Sequence, residues 1–434
     1  MTDFNQFERA LRQHWGEEAA LARHEIYFIA QRKSGWRQIV HAAGGLLRDA
    51  WLCVRLPRQA AGLARIVCVV SLPDANGWGV LAPLIPHLPE NAETASVAIH
   101  PGLHGKVPGS KPAAPDRMGW KLALLAMFSG ERAAIRGVSP WTTRCCLARR
   151  QLWLGVWRRT LGTTGNNIDA LILHNDFDLF SASAAEAARG FPPIRSVCVQ
   201  HGLPTDEFFP TRADIQLIWG ESSRKTYLSN NTPPGALIIG TYRAKPSIRF
   251  PPCPPAPQRI LLVSQTHTPV YGRSLESDFL RLATTLDGNL EKDAFQILLH
   301  PEENRLGHPY STGNLPSRCR NPPHETLIPK DTLPKLPTLV LGFCSTALLE
   351  AAQAGHFVLG IDWEVPVSRG ALAVGAPQYR IRNGQEALEL FERLRENNGF
   401  RSEWLQKQQL WINSVFTPLS AGWLDECLQN QPRR

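Results

Sequence analysis

The sequence has no CxxC pair and no Cys/His grouping at zinc-finger spacing, which excludes the common structural zinc modules. It has no run of about 18 consecutive apolar residues, so no membrane-spanning helix is expected. Residues 1–25 alternate acid and base without an apolar h-region, and a secretory signal is not expected. No GxSxG elbow is present, which argues against a serine hydrolase of the α/β type. No GxxxxGK[ST] is present, which argues against a P-loop nucleotidase. The dinucleotide fingerprint GxGxxG is also missing: Gly77 and Gly79 have the right first spacing, but Ala82 stands where the third glycine belongs. No internal repeat at a solenoid period is found.

What remains is an ordinary globular composition, 43% hydrophobic and 20% charged. That excludes a wholly disordered chain, a collagen and a small disulfide scaffold. With 434 residues, two or three domains are expected. The net charge of +9 calls for an anionic partner: a phosphate-bearing substrate, an acidic membrane surface or nucleic acid. No nucleic-acid-binding motif accompanies the charge, so nucleic acid is not expected. Nine cysteines are present, several inside apolar runs, such as Cys68 and Cys198. They read as buried, reduced thiols in a cytoplasmic protein. Proline is abundant, 35 residues, and so is tryptophan, 13 residues.

Short apolar runs ending in polar or Gly/Pro residues recur at 25–30, 65–72, 94–100, 168–174, 194–200, 213–220 and 235–240. Continuous apolar runs fit buried parallel strands. Helical stretches are expected between them at 43–64, 149–159 and 181–190. The segment 245–258 then gathers Pro246, Pro251, Pro252, Pro254, Pro255 and Pro257. Such a run favours an extended, stiff connector. Beyond it the alternation restarts, with strands at 259–266, 294–301, 325–329, 338–343 and 356–362 and helices at 274–286, 345–355 and 385–397. The expected organisation is α/β: a first Rossmann-like domain over 1–244, a linker over 245–258 and a second Rossmann-like domain over 259–412. A tail or helix over 413–434 is expected to pack back on the first domain.

Open parallel sheets bind ligands beyond the carboxyl ends of their strands. Three junctions stand out there. His300-Pro301 ends the strand at 294–301; the histidine offers a hydrogen-bond donor or a positive charge to a phosphate. After the strand ending at Gly342, Ser345-Thr346 opens a helix whose N–H groups, hydroxyls and dipole favour a phosphate. Glu350, one turn on, either reaches a ribose hydroxyl or is simply solvated. The third junction lies before the linker and presents His174, Asp176 and Asp178 from one strand and His201, Gly202, Asp206 and Glu207 from the next. A carboxylate or histidine there is a candidate general base, whereas Asp178 fits a helix cap. Asp176-Phe177-Asp178 spells the DxD of metal-dependent sugar-nucleotide sites, but a single instance is weak and no metal is expected. The basic, Trp-bearing stretch 144–159 reads either as a membrane-interface helix or as a Trp-anchored core helix with a solvated basic face.

Taken in order, Gln200-His201-Gly202, Trp219-Gly220, the proline-rich hinge, His300-Pro301 and Ser345-Thr346 resemble the bacterial GT-B glycosyltransferases of capsule and lipopolysaccharide synthesis. The nearest groups are the CMP-sugar users: sialyltransferases, polysialyltransferases and Kdo transferases. The resemblance covers roughly residues 168–362. It implies two Rossmann-like domains facing a cleft, with the CMP part of the donor held by His300, Pro301, Gly342, Ser345, Thr346 and Glu350. Asp176, His201, Asp206 and Glu207 are then the candidates on the acceptor side. The acidic D/E-D/E-G motif of the sialyltransferases has no clean copy here; Asp206-Glu207 is the nearest acidic pair. The implied activity is metal-independent transfer of sialic acid, Kdo or a related acidic sugar to a polysaccharide or glycolipid acceptor. No cofactor is expected beyond the CMP-sugar co-substrate. The expected location is cytoplasmic, peripheral on an anionic inner membrane. The alternatives are a GT-B enzyme using a UDP- or GDP-sugar, a CDP-polyol phosphotransferase, and a catalytically inactive glycan-binding or assembly protein of the same fold.

Overall fold

A computed structural model describes residues 4–55, 64–71, 77–89, 94–98, 111–113, 137–164, 167–245, 251–265, 274–301, 307–321, 336–343, 345–363 and 377–429, together with 127, 135, 303, 334, 371, 374 and 375. The expected strand at 325–329, residues 99–100, and residues 246–250 of the proline run lie outside the described residues.

The chain opens with three helices, α1 (Phe4–Ala20), α2 (Arg23–Arg32) and α3 (Trp36–Arg55). The α2 result corrects the strand expected at 25–30. Arg23, Ile26, Tyr27 and Ala30 are buried together, a spacing of three and four that only a helix places on one face. The dense apolar run mimicked a strand because Ile29 is buried as well.

Seven parallel strands follow: β1 (Ile66–Val70), β2 (Thr94–Ala98), β3 (Lys111–Ala113), β4 (Ala170–Leu173), β5 (Arg195–Val199), β6 (Ile215–Ile218) and β7 (Leu237–Ile239). Their order is β3-β2-β1-β4-β5-β6-β7. Between them run α4 (Pro140–Thr164), α5 (Leu179–Ala188) and α6 (Glu221–Ser229). The second sheet holds β8 (Arg259–Val263), β9 (Phe295–Leu298), β10 (Cys319–Arg320), β11 (Thr338–Gly342), β12 (Phe357–Ile361) and β13 (Arg380–Ile381), ordered β10-β9-β8-β11-β12-β13 and again parallel. Its helices are α7 (Ser274–Asn289), α8 (Thr346–Gln353) and α9 (Gly384–Glu396). Each sheet thus reverses its winding once, between β1 and β4 and between β8 and β11. That is the doubly wound arrangement, with a crevice at each reversal. Two such domains facing a cleft make up the GT-B architecture.

Two elements tie the halves together. Helix α10 (Asn398–Val415) buries Trp404 and Leu405 in the second domain. Its far end carries Ile412, Val415 and Phe416 into a shared apolar cluster with Trp219 and Leu203 of the first domain. The chain then crosses over: Thr417 donates its N–H to the Trp219 carbonyl, and Thr241 donates to the Thr417 carbonyl, both at 2.8 Å. Helix α11 (Trp423–Gln429) packs under the first sheet against β5 and β7, where the Trp423 indole donates to the His87 carbonyl. The described part of the proline run is pinned to α10. The Arg401 guanidinium donates to the Pro254 carbonyl at 2.7 Å, and the Ser402 hydroxyl donates to that of Pro252.

Helix α4 is a core helix. Trp153 and Trp157 are fully buried and meet Phe180 of α5. The buried Arg149 pairs with Asp49 and Glu25, and Arg150 with Glu186 and Glu18. Only Arg158 and Arg159 of the basic stretch reach solvent. Burial opposes the charge on Arg149, but the facing Glu25 and Asp49 outweigh it and leave its pKa raised. The thiols of Cys53 and Cys68 are pushed up to about 12, by burial first, and remain protonated. Among the described residues no helix is long and apolar enough to cross a membrane.

The crossover is tight at Gly220, where an added Cβ would lie 2.5 Å from the Val415 carbonyl oxygen. Backbone faces backbone there, so Gly220→Ala is expected to destabilise the protein by about 1–3 kcal/mol in urea unfolding. Gly288→Ala, in open space near the end of α7, is expected to be neutral or to stabilise by up to about 1 kcal/mol.

Candidate active site between the two sheets

One wall of the cleft is built at the reversal of the second sheet. Ser264 and Gln265 follow β8, His300 follows β9 and Phe343 follows β11. The buried Glu303 carboxylate ties two of these ends together. It accepts from the His300 backbone N–H at 2.6 Å and from the Ser264 hydroxyl at 2.9 Å. Ser264 Oγ also lies 2.8 Å from the Tyr310 hydroxyl. Ser345 caps α8, its Oγ accepting from Ala347 N–H at 3.2 Å, and Thr346 begins the helix. The positive end of that helix dipole is where an anion is best held.

The opposite wall follows β5. His201, Gly202, Leu203, Thr205, Glu207 and Phe208 line a cavity of about 180 Å³ together with Gln265, His300, Phe343, Ser345 and Thr346. The His201 ring stacks on Phe208 at 5.0 Å, with Phe177 and His174 at its other sides. Loss of hydration within these walls, helped by the nearby His174, lowers its pKa to about 3, and the Glu207 charge, with a hydrogen bond to the His174 backbone, opposes the fall only in part. The imidazole is therefore neutral at physiological pH. One ring nitrogen serves the His174 backbone, which leaves the other with acceptor character.

Glu207 also stays charged, for a different reason. Burial pushes its carboxyl up, but hydrogen bonding and charge from His24, with the Thr205 hydroxyl, bring it below the ordinary value. Thr205 Oγ1 donates to Glu207 Oε1 at 3.1 Å, and His24 Nε2 lies 3.4 Å from Oε2. The loop is latched from below by Arg23 of α2, whose guanidinium donates to the carbonyls of Glu207, Phe209 and Pro210.

Other candidates are not brought to the cavity wall. Asp176 is buried and accepts from Arg212 N–H at 2.6 Å, Ala213 N–H at 2.9 Å and the Gln216 amide at 2.9 Å. Three donors already engaged make it a brace between β4 and the loop entering β6. Asp178 caps α5 through Ser181 N–H and accepts from the Ser71 hydroxyl. The DxD carboxylates are thus both structural, and among the described residues no group of three His, Cys, Asp or Glu could hold a metal. Asp206 accepts from the Asn5 amide at 3.1 Å and points to α1. Pro301 is an exposed turn residue outside the wall. Gly342 has a packing role: a Cβ there would crowd Leu348 of α8 and Val263 of β8 at 3.2–3.3 Å. Glu350 pairs with Arg243 of the first domain at 3.5 Å and, mainly through burial, has a raised pKa. It is a bridge between domains.

Three contributors escaped the sequence. Glu303 had a signal, since a carboxylate three residues past a strand-end histidine can reach back to its N–H. His24 and Arg23 had none, because they reach the site only through tertiary packing of α2.

No family model matches the chain, and no curated protein matches it. Among solved structures the chain has distant likenesses. The glycotransferase of kitacinnamycin is 10% identical, over 86% of this chain and 100% of that one, with a TM-score of 0.49. The Neisseria meningitidis UDP-GlcNAc 2-epimerase bound to UDP-GlcNAc is 15% identical over 79% and 94%, with a TM-score of 0.44. Anabaena HepE in complex with UDP and glucose is 12% identical over 84% and 98%, with a TM-score of 0.46. At these identities and scores, the likenesses assign no substrate to the chain.

Two outcomes follow from the geometry. Glu303→Ala strips the acceptor from His300 N–H and Ser264, and is expected to cost about 1–3 kcal/mol in urea unfolding. The His201 ring resonances should stay at their neutral positions from pH 8 down to pH 5, where an ordinary histidine titrates near 6.5. The lowered folded value means that the unfolded chain binds more protons below about 6.5, so this group's contribution to stability falls as the pH drops from there toward 3.

Proposed function

We propose that the protein is a glycosyltransferase. The donor, a nucleotide-activated sugar, sits on the second domain, and the acceptor hydroxyl approaches from the first. The observation that carries this reading is one cavity lined by His300, Ser345 and Thr346 on one side and by His201 and Glu207 on the other. His300 and the α8 N-terminus hold the donor phosphate and offset the charge that builds on it as the bond to the anomeric carbon breaks. The electron pair of that bond leaves with the phosphate oxygen. The acceptor oxygen attacks the resulting oxocarbenium-like carbon, and its proton passes to the Glu207 carboxylate. Neutral His201 orients the hydroxyl as a hydrogen-bond acceptor. The cavity is below the ~300–1,000 Å³ of ordinary ligand pockets. It suits the sugar–phosphate junction, with the rest of the donor extending along the second domain.

The donor we propose is a CMP-activated acidic sugar of the sialic acid or Kdo type, with a polysaccharide or glycolipid acceptor. The support for this finer reading is that His300 and the Ser345-Thr346 pair, the positions of the CMP-binding motifs, share the cavity wall. In thermal-shift titration CMP should stabilise the protein more than UDP or GDP; the reverse order moves the donor to a nucleoside diphosphate sugar. With CMP-sialic acid or CMP-Kdo and a glycolipid acceptor, CMP release should fall about 100-fold or more in Glu207→Gln, with little change in donor KM. Nucleotide binding with no turnover on any acceptor would instead mark an inactive glycan-binding relative.

A further inference from the structure

Trp153, Trp157, Trp219, Trp404 and Trp423 are buried in packing, but helix α3 is a different case. Trp36, Val40, Leu47 and Trp51 are all exposed, Trp36 at 69% and Leu47 at 70%. At 100° per residue, these four positions fall within an arc of about 60°. Arg37, His41 and Arg48 are exposed in the next arc, about 40–80° further round. Arg32 and Lys33, just before the helix, are exposed too. The opposite side of α3, with Gln38, Ala42, Asp49, Ala50 and Cys53, is buried, and α3 packs on α4. Asp49 is the sole acidic residue of α3; it is buried against Arg149 and Trp153 and also accepts from Arg48 at 3.0 Å, whose side chain stays mostly exposed. The outer face therefore presents an apolar stripe beside a cationic one, with no exposed acid.

We propose that this face of α3 docks the protein on an anionic lipid bilayer, lying in the interface rather than spanning it. A bilayer surface is the partner that offers an acyl boundary and anionic headgroups side by side. Trp and Leu enter the boundary while the flanking arginines stay at the phosphates. A second copy of the chain fits less well, because an antiparallel twofold pairing of this face brings the two cationic stripes together. On helix α4, the other basic tryptophan-bearing segment, Trp153 and Trp157 are buried and only Trp141, in the first turn, is exposed. The inference does not depend on which sugar the cleft transfers; it places the first domain where a membrane-anchored acceptor would be met.

The test is flotation of the full chain with vesicles of phosphatidylcholine alone or mixed with phosphatidylglycerol, at low and high salt. The wild type should float with the mixed vesicles and detach as salt rises. Trp36→Ser/Val40→Ser/Leu47→Ser/Trp51→Ser, with an unchanged circular dichroism spectrum, should bind at least about tenfold more weakly. Arg37→Gln/Arg48→Gln should lose much of the salt-sensitive binding. Brominated acyl chains should quench part of the wild type's tryptophan fluorescence, a readout that needs no variant. Absence of flotation and quenching overturns the proposal. So does equal binding by the fourfold variant, or a dimer in light scattering that this variant abolishes without any vesicle binding.

Discussion

The Gln200 side chain is the constraint on which the cleft depends. Its amide donates to the Gly202 carbonyl at 2.9 Å and accepts from Trp219 N–H at 2.9 Å, while its own carbonyl accepts from the Trp219 indole at 2.7 Å. One buried residue thus shapes the turn after β5 and locks it to the end of β6. The turn carries His201 into the cavity. Trp219 passes the constraint on, because its carbonyl receives Thr417 N–H, where the chain returns from the second domain. Its ring meets Phe416 and lies beneath Arg243, the residue that pairs with Glu350. A buried amide left unpaired here would cost more than the bonds gain in net terms, so the network holds as a unit.

The two walls are held by different physics. On the second domain a buried carboxylate, Glu303, gathers strand ends by accepting N–H and O–H groups. On the first domain a buried guanidinium, Arg23, gathers a loop by donating to three carbonyls. Burial disfavours the charge of Arg23 and lowers its pKa, with Glu8 and Asp176 opposing the fall. The outcome is a neutral imidazole beside a charged carboxylate, two roles set by environment. The chain's positive charge is likewise divided. Arg149 and Arg150 are spent inside on Glu25, Asp49, Glu18 and Glu186, while those near α3 face outward.

Much of the fold was legible because fully buried parallel strands write continuous apolar runs, as at Ile66–Val70 and Thr338–Gly342. The second-domain wall was legible too. A helix opened by Ser345 directly after a strand is a local pattern, and His300 ends its strand in plain view. The first-domain wall was half legible: His201 and Glu207 were named, but so were Asp176 and Asp206, which differ from them only in orientation. A carboxylate's neighbours in sequence do not say whether it turns to the cleft or, like Asp176, to the backbone of Arg212 and Ala213.

By itself the sequence determined the alternation of strand and helix, the two sheets and the strand-end positions at which chemistry is possible. Those follow from periodicity and turn chemistry, which act over a few residues. Only the tertiary structure decided that 25–30 is helical, that α4 is interior while α3 shows its tryptophans outward, and that Arg23 and His24 support a loop some 180 residues away. These depend on which faces meet, and that is settled by burial across the whole domain: an apolar stripe looks the same in sequence whether it ends up buried or exposed.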